Sequence, residues 1–181
     1  MEANEAQELQ EHAEHAEHSS SLRAVAFTMS LLAVLVAVVT VVGHRTHTEA
    51  VLNQAKASDT WNEYQAKKNR AYDTQLVTDL LGVVTVADEN GAKKIAKGYA
   101  DHQAKWADDL EKEKKVAEGF EEKVELAEHK ADYFDFGEAL LEIGLVISSV
   151  TLLTKSRIYW YAGLVFSVIG IVATVMGLLL K

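Results

Sequence analysis

Residues Ala24–Gly43 read AVAFTMSLLAVLVAVVTVVG, twenty residues without a charge. A helix rises about 1.5 Å per residue, so this length crosses a hydrocarbon core of roughly 30 Å. A cleavable signal peptide would follow a short basic leader. The leader here is acidic, with Arg23 at its end, so an uncleaved anchor is expected. Two further apolar blocks follow. One runs from about Phe136 to Leu153 and carries Glu138 and Glu142; the other, Ile158 to Leu180, carries no charge. Only Thr154, Lys155, Ser156 and Arg157 separate them, which predicts a tight transmembrane hairpin.

The whole-chain average hides this pattern. Over 181 residues, 49% apolar and 25% charged, with a mean hydropathy of −0.03, resembles a soluble protein. The apolar residues are nevertheless gathered into three blocks with the charges between them. No Cys is present, which excludes disulfides, thiolate zinc sites, iron–sulfur clusters and a thiol nucleophile. The absence of Pro suits long helices. A net charge of −9 argues against nucleic acid as a partner.

Residues 44–135 lie between the first two spans and read as helical. From Ala92 a seam steps by four and three through Ala96, Tyr99, Gln103, Trp106, Leu110, Glu113, Ala117, Phe120, Val124, Ala127, Ala131 and Phe134. That is a heptad pattern with charged outer positions. Upstream, Ala50, Gln54, Ala57, Trp61, Tyr64, Lys68, Ala71 and Gln75 repeat the step more weakly. Between them, residues 87–91 end in Asn90-Gly91, a pair suited to a turn with positive φ. The arms on either side are nearly equal in length. The expected architecture is all-α: three transmembrane helices, with a long antiparallel coiled-coil helical hairpin between the first and second. Lys68 and Glu113 are polar seam members expected to pair across it or to reach for water. An apolar cluster near the turn, including Leu76, Leu80 and Val84, is either a contact site or a local core around Gly82.

Each span carries small residues at four- and three-residue steps. They are Ala26, Ser30, Ala33, Ala37 and Thr40 in the first; Gly137, Gly144, Ser148 and Thr151 in the second; Gly163, Ser167, Gly170, Thr174 and Gly177 in the third. Such stripes let helices approach closely in lipid. They serve either packing within one chain or a homo-oligomer seam.

Lys155 and Arg157 in the short loop, with Arg23, favour a cytoplasmic leader and short loop, with residues 44–135 outside. Counting the basic residues of the long segment weakens or reverses this bias.

Leu52–Arg70, LNQAKASDTWNEYQAKKNR, contains a D-x-W-x-x-Y-Q-A-K core at Asp59, Trp61, Tyr64, Gln65, Ala66 and Lys67. With the closing FGEALLEIGLVISSVTLLTKSRIYWYAG segment and the His-bearing leader, the chain resembles a bacterial family of uncharacterised membrane proteins, domain of unknown function 4337. The resemblance implies a helical, multi-pass protein of a bacterial inner membrane, which would make residues 44–135 periplasmic, and brings no activity, substrate or cofactor.

Two constellations bear on chemistry. His12, His15 and His18 alternate with glutamates in the leader. Imidazole and carboxylate can bind a transition metal, but three-residue steps drift around a helix, and a solvated acidic leader is the favoured reading. Asp135, Glu138 and Glu142 share one face of the second span. They are expected either to pair with His44, Arg45 and His47 at the boundary or to form carboxylate rings in an oligomer. No nucleotide-binding, hydrolase or metalloprotease motif occurs. The sequence therefore points to a non-enzymatic protein, without cofactor, that self-assembles or docks on a larger membrane complex. The alternative is a small cation-conducting or cation-sensing oligomer.

Overall fold

The computed structural model describes residues 20–180, and these form three helices: α1 (Ser20–Val83), α2 (Glu89–Thr154) and α3 (Arg157–Leu179). Each is long and apolar enough, over part of its length, to cross a membrane. Together the apolar parts form a three-helix membrane-spanning bundle. The chain divides into two units, one comprising residues up to His47 with those from Leu126 onward, the other Thr48–Glu125.

In the first unit the core is a cluster of Leu32, Val39, Phe134 and Leu141, with Leu35, Val36, Val42 and Leu145 packed against it. The α1 contribution is a stripe of larger apolar residues, Val25, Leu32 and Val39, all buried. Between α2 and α3 the contact is made by small residues. A Cβ built on Gly137 would lie 2.9 Å from Gly170 O, and one built on Gly144 would lie 2.7 Å from Gly163 O. Backbones this close gain dispersion contacts that bulkier side chains would prevent. Trp160 Nε1 donates to Thr28 Oγ1 at 2.9 Å and ties the start of α3 to α1. Phe27, Leu31, Val34, Val38, Val165, Ile169 and Val172 face outward, as lipid-facing side chains do. The connection between α2 and α3 is short because Lys155 adopts a left-handed conformation, φ 54°, while its amide closes α2 on Thr151 O at 2.8 Å.

In the second unit, partners on α1 rise in number as those on α2 fall. Trp61 Nε1 donates to Glu121 Oε1 at 2.8 Å, Lys67 pairs with Glu113, and Gln103 Nε2 donates to Gln75 Oε1 at 3.0 Å. Every α2 seam position with a described side chain from Ala92 to Val124 is buried or half-buried. On α1 two of the eight expected seam positions, Gln54 and Gln75, are displaced by a residue, while Trp61 and Lys68 are half-buried. Ala50, Ala57, Tyr64 and Ala71 turn inward, but Asn53 and Thr74 are buried where Gln54 and Gln75 are exposed.

The break between α1 and α2 lies at residues 84–88 rather than 87–91. Val83, Val84, Thr85 and Val86 form a β-branched run with poor helix propensity. Asp88 then caps α2, its Oδ1 accepting from the Gly91 amide at 2.9 Å. Asn90 and Gly91 therefore lie inside the first turn of α2, and neither has a positive φ. Gly91 serves the cap instead: a Cβ there would stand 3.0 Å from Asp88 Cγ.

Candidate functional site

The three carboxylates of the second span occupy three different environments. Asp135 is exposed and faces His47, whose Nε2 lies 3.1 Å from Oδ2 and 3.2 Å from Oδ1. Glu138 is half-buried and accepts from Thr40 Oγ1 at 2.5 Å. The Thr40 hydroxyl also lies 2.9 Å from Val36 O. It has one proton for two acceptors. Glu142, one turn further along α2, is exposed. It lines a shallow groove of about 350 Å³ with Ala139, Ile143, Val146 and Ile147.

The first span supplies neighbours of Asp135 and Glu138, among them His47 for the first and Thr40 for the second. His44 and Arg45 are exposed on α1, and Thr40 donates a hydrogen bond to Glu138. Thr40 stands in the sequence as one member of a small-residue stripe. Its polar contact depends on which way that stripe turns, and no local pattern announces it.

The orientation of the stripes is the most informative feature of this unit. Gly137, Gly144, Ser148 and Thr151 of α2 are buried, as are Gly163, Ser167, Gly170 and Gly177 of α3. Those two stripes are satisfied by one another. The α1 stripe behaves differently: Ala26, Ser30, Ala33 and Ala37 are all exposed, and only Thr40 is half-buried. The bundle thus packs α1 by Val25, Leu32 and Val39 and leaves its small stripe outward, beside Phe27, Leu31, Val34 and Val38.

Within the second unit, the polar pair expected as Lys68 with Glu113 forms through Lys67 instead. Lys68, half-buried like Lys67, lies 5.6 Å and 5.9 Å from the ring centroids of Tyr64 and Tyr72. The hydrogen bonds from Lys67 to Glu113 and then Glu63 hold its ammonium above the ordinary lysine value. Glu113 Oε2 is buried and has no hydrogen-bond partner. Trp61 meets Tyr64 edge-on with ring centroids 5.4 Å apart. Tyr99, Trp106, Leu110 and Phe120 are half-buried and Val124 is buried. Trp106 also stacks on His102 at 5.6 Å.

His12, His15 and His18 lie outside the described residues. Among the described residues no group of three or more His, Asp or Glu side chains is arranged to hold a metal ion.

A family model described as "Domain of unknown function (DUF4337)" matches residues 21–180. No curated protein and no solved structure matches the chain.

Proposed function

Because the chain belongs to the DUF4337 family, whose description carries no activity, we propose its function from its own geometry: a non-enzymatic membrane-anchored coiled-coil protein that self-assembles in the bilayer. The observation that carries this reading is the outward stripe of Ala26, Ser30, Ala33 and Ala37. In lipid, large apolar side chains can remain against acyl chains without cost, whereas a small-residue groove gains most from a second helix backbone. The α2 and α3 stripes are already occupied by each other, which leaves the α1 stripe for another copy. Residues 48–125 form an antiparallel coiled-coil hairpin in this reading, and the ladder of Trp61–Glu121, Lys67–Glu113 and Gln75–Gln103 supports it. The protein sits in a bacterial inner membrane with its N-terminus cytoplasmic, as Arg23, Lys155 and Arg157 favour.

Mass measurement of the full chain in mild detergent tests the assembly. The expected particle is a multiple of the 19.9 kDa chain, reduced to one copy by Ala33→Ile, which enlarges an exposed position and leaves the core untouched. A monomeric wild type overturns self-assembly; co-purification with one abundant complex would replace it by docking on that complex.

The exposure of Glu142 favours one second reading. An ionisable side chain inside a span normally faces protein or a water-filled cavity. In a ring of copies Glu142 would line such a cavity and attract cations. The case is weaker than self-assembly alone, because Asp135 and Glu138 already have partners within the chain.

A further inference from the structure

Within the second unit, α1 carries two sets of polar residues that can face α2, and the structure engages members of both. In one set Asn53 and Thr74 are buried and Lys67 pairs with Glu113. The other set is one residue further on: Gln54, Lys68 and Gln75. Gln75 is exposed, yet its Oε1 accepts from Nε2 of Gln103, a seam residue of α2, at 3.0 Å. Lys68 is half-buried, as Lys67 is. It rests beside the rings of Tyr64 and Tyr72, and the second of these is 63% exposed.

Glu113 is where the two sets meet. Its Oε1 takes Lys67, while its Oε2 is buried without a hydrogen-bond partner. A buried carboxylate oxygen left unmet is costly, and an ammonium group is a strong donor to it. Lys68 is the next residue along from Lys67. A turn of α1 by about half a residue, roughly 50°, exchanges the two lysines at Glu113. Lys67 is not stranded by this exchange, because Glu63 Oε1 stands 3.0 Å from its Nζ on the same helix.

Little apolar burial changes in the exchange. Ala50, Ala57, Tyr64 and Ala71 belong to both seams. Gln54 replaces Asn53 and Gln75 replaces Thr74, polar for polar. The alanines raise no ridge that would lock α1 against rotation. Packed helices with two arrangements of similar energy switch between them rather than deform continuously.

We propose that residues 50–75 of α1 have two seams against α2, a major one closed by Lys67–Glu113 and a minor one closed by Lys68–Glu113, with Glu113 as the switch point. The proposal rests on the reading of residues 48–125 as an antiparallel coiled-coil hairpin and is separate from the assembly argued for the membrane unit.

The test uses the full chain in phosphatidylcholine nanodiscs. The chain has no Cys, so Thr74→Cys or Gln75→Cys supplies a single thiol whose rate of reaction with a maleimide reports exposure. With both lysines present, Thr74→Cys should react slowly and Gln75→Cys fast. Lys67→Met should favour the minor seam, raising the Thr74→Cys rate by about fivefold or more and lowering that of Gln75→Cys. Adding Lys68→Met to Lys67→Met should bring the first contrast back, since neither lysine then draws α1 round. Lys67→Gln replaces Lys67→Met if circular dichroism shows lost helix content. Equal rates at the two thiols with both lysines present overturn the hairpin reading and the proposal together. A contrast that Lys67→Met leaves unchanged overturns the proposal alone. So does a rise at both thiols, which means that the arm has detached, and so does an exchange that persists in Lys67→Met/Lys68→Met.

Discussion

Gly144 and Gly163 face each other across α2 and α3 so closely that a Cβ on Gly163 would lie 2.6 Å from the carbonyl oxygen of Gly144. The obstacle is backbone, which cannot rotate aside. Gly144→Ala or Gly163→Ala should therefore separate the helices and cost about 1–3 kcal/mol. Gly98 and Gly119 also lie in helix α2 but have nothing within 4 Å of a built Cβ. Alanine there should stabilise by about 0.5–1 kcal/mol through reduced unfolded-state freedom and better helix propensity. Unfolding of the four variants in lipid micelles, followed by circular dichroism, should give opposite signs for the two pairs.

The Lys67–Glu113 pair predicts a pH dependence in the alkaline range. Hydrogen bonds to Glu113 and Glu63 raise the Lys67 pKa above its ordinary value of 10.5. A raised lysine pKa means the folded state binds the proton more tightly than the unfolded state. Its contribution is then complete below about 10.5 and fades as pH climbs through the folded value. Wild type should exceed Lys67→Met in melting temperature at neutral pH, and the gap should narrow at strongly alkaline pH. A Lys67→Met/Glu113→Gln double-mutant cycle should show coupling. Lys68→Met paired with Glu113→Gln should show none.

Much of this architecture can be read from periodicity, and the places where reading stops have a common cause. On α2, Tyr99, Trp106, Leu110, Phe120 and Val124 contrast with flanking Lys, Glu and Asp, so the inward face is marked at almost every turn. On α1 the competing pairs are Asn53 or Gln54, Lys67 or Lys68, and Thr74 or Gln75. Each pair offers two polar residues, so no hydrophobic contrast selects between them. The seam could slip by a position, and the partner of Glu113 with it. The turn lies earlier than Asn90-Gly91 suggests for a related reason. Asn90-Gly91 is a strong local turn signal, but the Asp88 cap three residues before Gly91 is compatible with helix from Glu89 onward, and the β-branched run at 83–86 had already ended α1. The stripes of the spans were legible as stripes. Which of them turned inward depended on the sizes of the residues on the opposite faces, a tertiary matter.

Topology is testable with cysteines placed in a chain that has none. Lys155 and Arg157 favour a cytoplasmic α2–α3 turn and an external Ser58. Ser58 is exposed and Ser156 half-buried at that turn. Ser58→Cys should react with an impermeant maleimide on intact cells, and Ser156→Cys should react only after permeabilisation. The reverse labelling would invert the orientation.

Glu142 separates the two proposed functions. It lies along a groove with Ala139 and Val146, while the other carboxylates of its triad contact His47 and Thr40. If the protein only assembles through the α1 stripe, Glu142 lies near the boundary, where its side chain reaches the headgroup layer. Glu142→Gln then preserves shape and hydrogen-bonding capacity and removes a charge of little consequence. If copies form a ring around α2, the same substitution removes one carboxylate per copy from a narrow site, where low dielectric strengthens each charge. Reconstituted liposomes distinguish the cases by cation flux with wild type and with Glu142→Gln. The expected outcome is no specific flux from wild type and an unchanged assembled mass in the variant. A wild-type flux abolished by Glu142→Gln would make conduction the function, because a residue outside any conducting path has no means of gating ions through the bilayer.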